Sequence, residues 1–413
     1  MIKRFIVIVA VFFTVMASAQ ENVSSPYSYY GIGLTNFKGT VENRSMGGLS
    51  TFSDSIHLNL RNPASYGRLK LTNYSVGGSH ERVKLQTNTA EDRAKITSLD
   101  YLAIGVPVGK FGFGLGVMPY TSVGYRILDV EENQGSRLTG RGGMNKVFLT
   151  AAYEISESLS VGVDAQYNFG NFQNRRSVAR EGIELGTRDI RRTDIIGFNF
   201  KFGVDYQRMI SDNLKLHASA SYAPEARLDS ENYREISTIA FLGTGEVVLD
   251  KHEFERVDSQ FDLPSELTVG AGLGKPNSWF VGGEYTGRGT SAFGNSFNTG
   301  DENVAYQDAA HYRLGGYFIP QYNSLTSYFK RVVYRAGLRF EETGLHLRNE
   351  SINEFGISFG VGLPVGANFS NANLGIEYGQ RGTTDSDLIK ENFFKISIGL
   401  SLNDKWFEKR KFN

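Results

Sequence analysis

Residues 198–207 read Phe198-Asn199-Phe200-Lys201-Phe202-Gly203-Val204-Asp205-Tyr206-Gln207. Every second residue is apolar, and each residue between is polar or glycine. Successive side chains of a β-strand point to opposite faces, so this stretch has one surface suited to hydrocarbon and one suited to water. A soluble sandwich could contain one such strand. Here the pattern recurs about fourteen times, as in Val161/Val163/Ala165/Tyr167/Phe169, Leu214/Leu216/Ala218/Ala220/Tyr222, Phe355/Ile357/Phe359/Val361/Leu363 and Phe394/Ile396/Ile398/Leu400/Leu402. Repetition of this kind predicts an all-β chain forming a 14-stranded antiparallel transmembrane β-barrel, with lipid outside and water inside. Closure is required because hydrocarbon cannot satisfy an open sheet edge.

The amino terminus carries the marks of an export signal: Lys3 and Arg4, an apolar run from Phe5 to Met16, then Ala17-Ser18-Ala19. Residues 1–19 are therefore expected to be a signal peptide, with the outer membrane as destination. The apolar run is shorter than the ~20 residues of a membrane helix. The chain has no cysteine, so neither a lipid-modified cysteine, a disulfide nor a thiolate metal site is available. Formal net charge is zero, from 44 basic and 44 acidic residues, which gives nucleic acid no electrostatic footing. Mean hydropathy is −0.29, consistent with half of every strand facing water.

Residues 20–68, rich in Ser, Asn, Gly and Tyr, do not read as barrel. The cluster Tyr27, Tyr29 and Tyr30 argues for a packed segment, an N-terminal hatch or plug in the lumen. The barrel is expected over 69–402 and a basic periplasmic tail over 403–413. Strands are expected to begin near Lys70, Lys95, Phe111, Gly143, Ser158, Thr193, Asn213, Ser265, Ser278, Ala309, Val332, Asn353, Asn373 and Asn392. Short connections fall near Gly109-Lys110, Ser156–Ser158, Ser211–Asn213 and Lys275–Asn277; long polar ones fall at 128–142, 171–192, 224–264 and 288–308. Short turns belong to the periplasmic side, which places both termini there. Residues 232–250 read either as a hairpin within a long loop or as two further strands, which would make sixteen.

Met46-Gly47-Gly48, Ser53-Asp54-Ser55 and Asn62-Pro63-Ala64 stand in order before the first strand, and Pro119 interrupts the third strand at Val117-Met118-Pro119-Tyr120. In this layout the chain resembles the FadL-type long-chain fatty acid transporter family of outer-membrane barrels. Two features depart from that family: Ser65-Tyr66-Gly67 stands where Gly-Leu is usual, and a basic tail follows the last strand. The resemblance implies a lumenal hatch whose geometry is set by Asn62, Pro63 and Ala64. It also implies a lateral opening at Pro119, where proline cannot donate to the ladder. The function it implies is passive uptake of hydrophobic small molecules such as long-chain fatty acids. The alternative it carries is a non-transporting accessory barrel that binds secreted or surface proteins in an outer-membrane assembly. Expected partners are outer-membrane lipid, a hydrophobic small-molecule ligand and other outer-membrane or secreted proteins.

No catalytic constellation is legible, so the chain is not read as an enzyme, and no cofactor or metal is expected. The six histidines (His57, His80, His217, His252, His311, His346) are scattered without metal-ligand spacing. Gly112-Phe113-Gly114-Leu115-Gly116 lacks the following helix of a nucleotide loop, and no G-x-S-x-G supports acyl transfer. Lys201, Asp205, Asp164, Lys215 and Glu377 are read as lumenal charges that hold the hatch, and Asp301-Glu302 as a solvated loop.

Overall fold

The computed structural model describes residues 24–242, 245–292, 303–365 and 370–405; the expected signal, Asp301-Glu302 and all but the first residues of the expected tail lie outside these. The strands are β1 (Thr72–Gln86), β2 (Glu91–Val108), β3 (Phe111–Glu131), β4 (Gln134–Ser156), β5 (Leu159–Arg180) and β6 (Leu185–Ser211). β7 runs as Leu214–Ala223 and Ala226–Leu242 across a break at Pro224-Glu225, and β8 as Gly245–Glu253, Val257–Leu263 and Glu266–Lys275. β9 (Trp279–Arg288), β10 (Ala309–Phe318), β11 (Val333–Leu347), β12 (Glu350–Val365), β13 (Ser370–Arg381) and β14 (Lys390–Asp404) complete the circuit. Neighbours are antiparallel throughout, and β14 pairs with β1 from Lys390↔Gln86 to Asp404↔Thr72. The sheet is thus a closed, antiparallel barrel of 14 strands.

The alternation read in the sequence is the alternation of the two faces. In β6 Phe198 is 62 % exposed and Phe202 51 %, whereas Lys201 is 7 % and Asp205 1 % exposed. β14 repeats this with Phe394, Ile396, Ile398, Leu400 and Leu402 outward and Ser397, Ser401 and Asn403 buried inward. No helix among the described residues is long and apolar enough to cross a membrane.

Three of the expected polar loops are paired strand. Residues 134–142 pair with 171–180 across β4 and β5, 187–196 with 229–238 across β6 and β7, and 226–242 with 245–263 across β7 and β8. β4 therefore begins at Gln134 rather than near Gly143, and β6 at Leu185 rather than near Thr193. The hairpin at 232–250 prolongs β7 and β8 and adds no strand to the circuit, so the count of sixteen is set aside. Beyond the hydrocarbon the outer face of a strand meets water as well, and polar residues replace the large apolar ones there. The two-residue period then vanishes although the backbone ladder continues.

Residues 24–71 are built from a 3-10 turn Pro26–Tyr29, a two-residue strand Leu34–Thr35, a short helix α1 (Val41–Arg44) and a 3-10 turn Pro63–Arg68. Thr40 caps α1, its hydroxyl accepting from the Asn43 amide. Val41, Leu58, Leu60, Tyr66 and Leu69 form one buried cluster with Tyr101, Ala103, Met118, Phe148 and Ala152 of the wall.

Candidate functional site

The N-terminal segment is held by charge. Its five basic residues are Lys38, Arg44, Arg61, Arg68 and Lys70, and each meets a carboxylate of the wall. Lys38 pairs with Glu266 of β8 at 3.4 Å, Arg44 with Glu377 of β13 at 2.5 Å and Arg61 with Glu284 of β9 at 2.7 Å. Arg68 pairs with Asp205 of β6 at 2.9 Å, and Lys70 with Glu154 of β4 at 3.0 Å. These carboxylates belong to strands spread round the barrel, so the segment is tied to several sides of the inner wall. Neutral donors reinforce the ties: the Ser50 amide donates to Glu284 Oε2 at 2.7 Å, and Ser53 Oγ to Asp205 Oδ2 at 2.6 Å. Removing one partner of such a buried pair leaves an uncompensated charge, which costs about 3–5 kcal/mol. Asp205 and Glu377 were legible as lumenal charges. Glu266 and Glu284 were not singled out, although alternation in β8 and β9 places both on the inner face.

The Asn62-Pro63-Ala64 motif opens the last 3-10 turn of the segment. Asn62 Oδ1 accepts from the Ala64 amide at 3.1 Å, Pro63 occupies the first turn position, and the Ala64 carbonyl accepts from Ser160 Oγ of β5 at 2.7 Å. All three residues are buried. The motif thus seats the segment against β5 and β6.

Pro119 marks a parting of the wall. β2 and β3 pair only from Val108↔Phe111 to Leu102↔Val117. Past that point β2 continues with β1 to Glu91↔Gln86, and β3 continues with β4 to Glu131↔Gln134. Tyr120 is an extra residue against β4, between the pairs Pro119↔Asn145 and Thr121↔Met144. β4 answers with Gly142 and Gly143 at φ 116° and 155°, and a Cβ on Gly143 would stand 2.4 Å from the Thr121 carbonyl oxygen. From Tyr120 to Tyr125 every residue of β3 is buried, so the alternation stops where the wall parts.

The freed edge of β3 is covered by the N-terminal segment. Leu34 and Thr35 pair with Ser122 and Thr121, the Asn36 amide donates to the Tyr120 carbonyl at 3.0 Å, and the Ser25 amide to that of Gly124 at 2.9 Å. A cavity of about 30 Å³ remains beside Pro119, lined among others by Arg44, Glu81, Asp100 and Lys395. Above it, Ile32 joins Tyr120, Val123, Met144, Phe172 and Leu228 in an apolar cluster on the inner face of the tall strands. At the opposite end, the short-turn side, a cavity of about 1010 Å³ opens beneath the segment, lined by Phe52, His57, Lys215, His217, Phe280 and Tyr317 among others.

Of the other residues weighed from sequence, His217 and His311 are buried and inward, and His311 Nδ1 lies 3.1 Å from Glu341 Oε2. Asp164 accepts from Thr150 Oγ1, and Lys201 Nζ donates to Glu266 Oε1 at 3.0 Å. No cluster of three or more metal-ligating side chains occurs among the described residues.

A closed antiparallel barrel with an apolar outer face and a charged lumen is the architecture of transmembrane β-barrels. Comparison with known proteins places it more closely. A family model described as BamG matches residues 1–413, and the chain belongs to that family. No curated protein matches the chain. Among solved structures, the Pseudomonas putida toluene transporter TodX is 17 % identical with a TM-score of 0.61, covering 91 % of this chain and 100 % of its own. The CymD monoaromatic hydrocarbon channel is 15 % identical with a TM-score of 0.60, covering 91 % and 100 %. A Pseudomonas aeruginosa FadL homologue is 11 % identical with a TM-score of 0.57, covering 90 % and 98 %. The chain therefore has the fold of the FadL-type hydrocarbon channels, in agreement with the resemblance read from sequence.

Proposed function

We propose that this chain is an outer-membrane barrel for passive uptake of hydrophobic small molecules, long-chain fatty acids among them. The observation that carries the reading is the parting of β2 from β3 beyond Val117, which gives the barrel a side exit towards lipid. The apolar cluster of Ile32, Tyr120 and Phe172 includes the residue that follows Pro119 on the parted edge of β3, and withdrawal of Ile32 with residues 25–36 would expose it to an apolar ligand. Each buried methylene contributes roughly 0.8 kcal/mol, so a long chain binds there with few polar contacts. In this reading residues 25–36, which lie on the edge of β3, close the exit, and release requires them to leave it.

The absence of native cysteine makes the test direct. Leu34 and Ser122 are cross-strand partners, and Cα separations of antiparallel pairs fall in the disulfide range. The oxidised Leu34→Cys/Ser122→Cys variant should stop uptake of a radiolabelled fatty acid into cells lacking the wild-type chain, and a reductant should restore it. Uptake at the wild-type rate in the oxidised variant removes the lateral route.

A second reading is an accessory barrel that holds secreted or surface proteins in an outer-membrane assembly. Its support is the lock itself. The cavity beside Pro119 is small and charged, and every basic residue of 24–71 is neutralised by the wall. Lipid mass spectrometry on gently extracted protein separates the two. Co-purified fatty acid without a protein partner favours uptake; a stoichiometric protein partner without lipid favours the accessory role.

A further inference from the structure

The outer face of the tall strands changes character above the apolar band. On β5 and β6 the last apolar row is Phe169 beside Ile196, and Ile196 is exposed. The strand registers carry that face upward without a slip. Asn171 stands between Gly143 and Asp194, Gln173 between Arg141 and Arg192, and Arg175 between Thr139 and Ile190. Thr139 is in turn opposite Arg126 of β3. Arg126, Arg141 and Arg175 are all exposed. Neighbouring strands lie roughly 4.8 Å apart and same-face residues roughly 7 Å apart along a strand, so these three positions form a triangle around Thr139 with Cα separations of roughly 8–10 Å.

The triangle is not neutralised by its surroundings. The carboxylates next to it on this face already have bases: Asp194 meets Arg192 at 2.9 Å, Glu235 meets Arg188 at 3.0 Å and Glu231 meets Arg256 at 2.8 Å. Arg141 donates from Nε and Nη2 to Gln173 Oε1 at 3.0 and 2.8 Å, which fixes its guanidinium without cancelling the charge. Arg126 and Arg175 meet no carboxylate among the described residues. A basic patch high on a loop would be ordinary solvated surface. This one has a defined height. Arg141 lies four residues beyond Asn145, the partner of Phe169, which is roughly 14 Å along a strand and about 10 Å along the membrane normal at the usual tilt. The polar headgroup layer adds about 5–8 Å to each side of the hydrocarbon, and long arginine stems lie back towards it.

We propose that Arg126, Arg141 and Arg175 form a binding site for the phosphate groups of an outer-leaflet glycolipid. Phosphate oxygens accept paired N–H bonds from a guanidinium, and arginine is weakly hydrated enough to give up water for them. Thr139, at the centre of the triangle, offers a hydroxyl to the same headgroup. The lipid's acyl chains then lie down the wall along the apolar rows of Phe169/Ile196 and Tyr167/Phe198, which continue the same face. The site stands on the strands next to the parting at Pro119, so a lipid held there packs against the tall half of the barrel and fixes its height in the membrane. The proposal rests on the outer-membrane placement of the barrel with its short turns in the periplasm. It does not rest on uptake, and its failure leaves the lumenal route to be decided by the disulfide lock.

The test uses the mature chain in a non-ionic detergent and native mass spectrometry with three probes: bisphosphorylated lipid A, the same glycolipid without its phosphates, and an oligoglutamate peptide. Lipid A should bind, and the other two should bind at least about tenfold more weakly. Arg126→Gln/Arg141→Gln/Arg175→Gln should weaken lipid A by about tenfold. Arg82→Gln/Lys95→Gln, which removes two exposed bases paired across β1 and β2, should leave it unchanged. A photoreactive lipid A should crosslink within 137–145 or 169–177, a readout that decides the question even if the triple variant does not fold. Equal binding of the dephosphorylated lipid, equal loss in the β1–β2 variant, or crosslinks elsewhere only overturns the proposal. Equal binding of the peptide overturns it too and assigns the triangle to an acidic protein segment. Displacement of lipid A by millimolar inorganic phosphate alone has the same effect and reduces the triangle to a general anion site.

Discussion

Asn62 Nδ2 donates to the carbonyl oxygen of Val204 at 3.1 Å, which ties the Asn62-Pro63-Ala64 motif to the stretch of β6 that declares the barrel. The approach is close enough to exclude a side chain between them. A Cβ on Gly203 would lie 2.2 Å from Asn62 Oδ1 and 2.8 Å from Pro63 Cδ. Gly203→Val should therefore push the Pro63–Arg68 turn off the wall at a cost of about 1–3 kcal/mol, the usual range for overpacking. Limited proteolysis within 24–71 should accelerate while the barrel keeps its heat-modifiable mobility in gels. Unchanged protection of the segment would mean that the wall yields instead.

The same geometry shows what alternation alone reveals. Phe198, Phe200 and Phe202 reveal the outer face because the same alternation recurs on strand after strand, which one soluble core does not ask of a chain. Glycine at 203 was legible only as a small residue on the wet face; that Pro63 lies against it depends on the fold of a distant segment. Pro119 was legible as a break. The residues that exploit the break, Leu34, Thr35 and Asn36, carry no periodicity and pair with β3 through backbone groups that every sequence has. The tall portions of β4 to β6 read as loops for a related reason, since their outer face carries polar residues; only 232–250, in β7 and β8, was legible as a hairpin or a pair of strands.

Glu284 gathers more of the segment than any single contact in the motif. It accepts from Arg61 at 2.7 Å and from the Ser50 amide at 2.7 Å, and it stands 3.4 Å from Arg313 of β10. Glu284→Gln removes the carboxylate that faces the buried Arg61 guanidinium, while Arg313 keeps Glu341 at 3.0 Å. Amide protection of residues 48–62 should fall by about 3–5 kcal/mol, and single-channel events in planar bilayers should become more frequent. Protection equal to wild type would show that Arg61 is held by shape rather than by charge.

Protonation should set the grip of the 53–58 turn. His57 Nδ1 lies 2.7 Å from Asp54 Oδ2, and Asp54 Oδ1 accepts from the amides of Ile56 at 3.0 Å and His57 at 2.8 Å. Burial alone would lower the imidazole pKa, but the Asp54 carboxylate and its hydrogen bond outweigh burial and raise it above the usual 6.5. For Asp54 burial is likewise outweighed, by His57, and its pKa falls below the usual 3.8. A raised imidazole contributes stability that is complete below pH 6.5 and is lost as pH climbs through the raised value. The lowered carboxylate contributes stability that is complete above pH 3.8 and is lost as pH drops through the lowered value. The turn should thus be tightest between about pH 4 and 6.5, read as intrinsic-rate-corrected exchange of the Ile56 and His57 amides. His57→Gln should abolish the alkaline loss; a loss that persists in that variant assigns it to another group.

Pro119 decides whether the parting of the wall is built in or merely tolerated. Proline offers no N–H, so β3 cannot complete a ladder at that residue whatever β2 does. Pro119→Val restores the donor. Two further obstacles stay in place: Tyr120 remains the extra residue against β4, and Gly142 and Gly143 still let β4 bend. If the proline creates the parting, the valine variant should extend β2–β3 pairing past Leu102↔Val117, slow the exchange of β2 amides from Ser98 to Tyr101, and reduce fatty acid uptake several-fold at equal barrel yield. If the bulge and the glycines suffice, pairing and uptake should stay at wild-type levels, and the burden of the opening passes to Gly143. There Gly143→Val would meet the Thr121 carbonyl and should disturb β3 more than any change at Pro119.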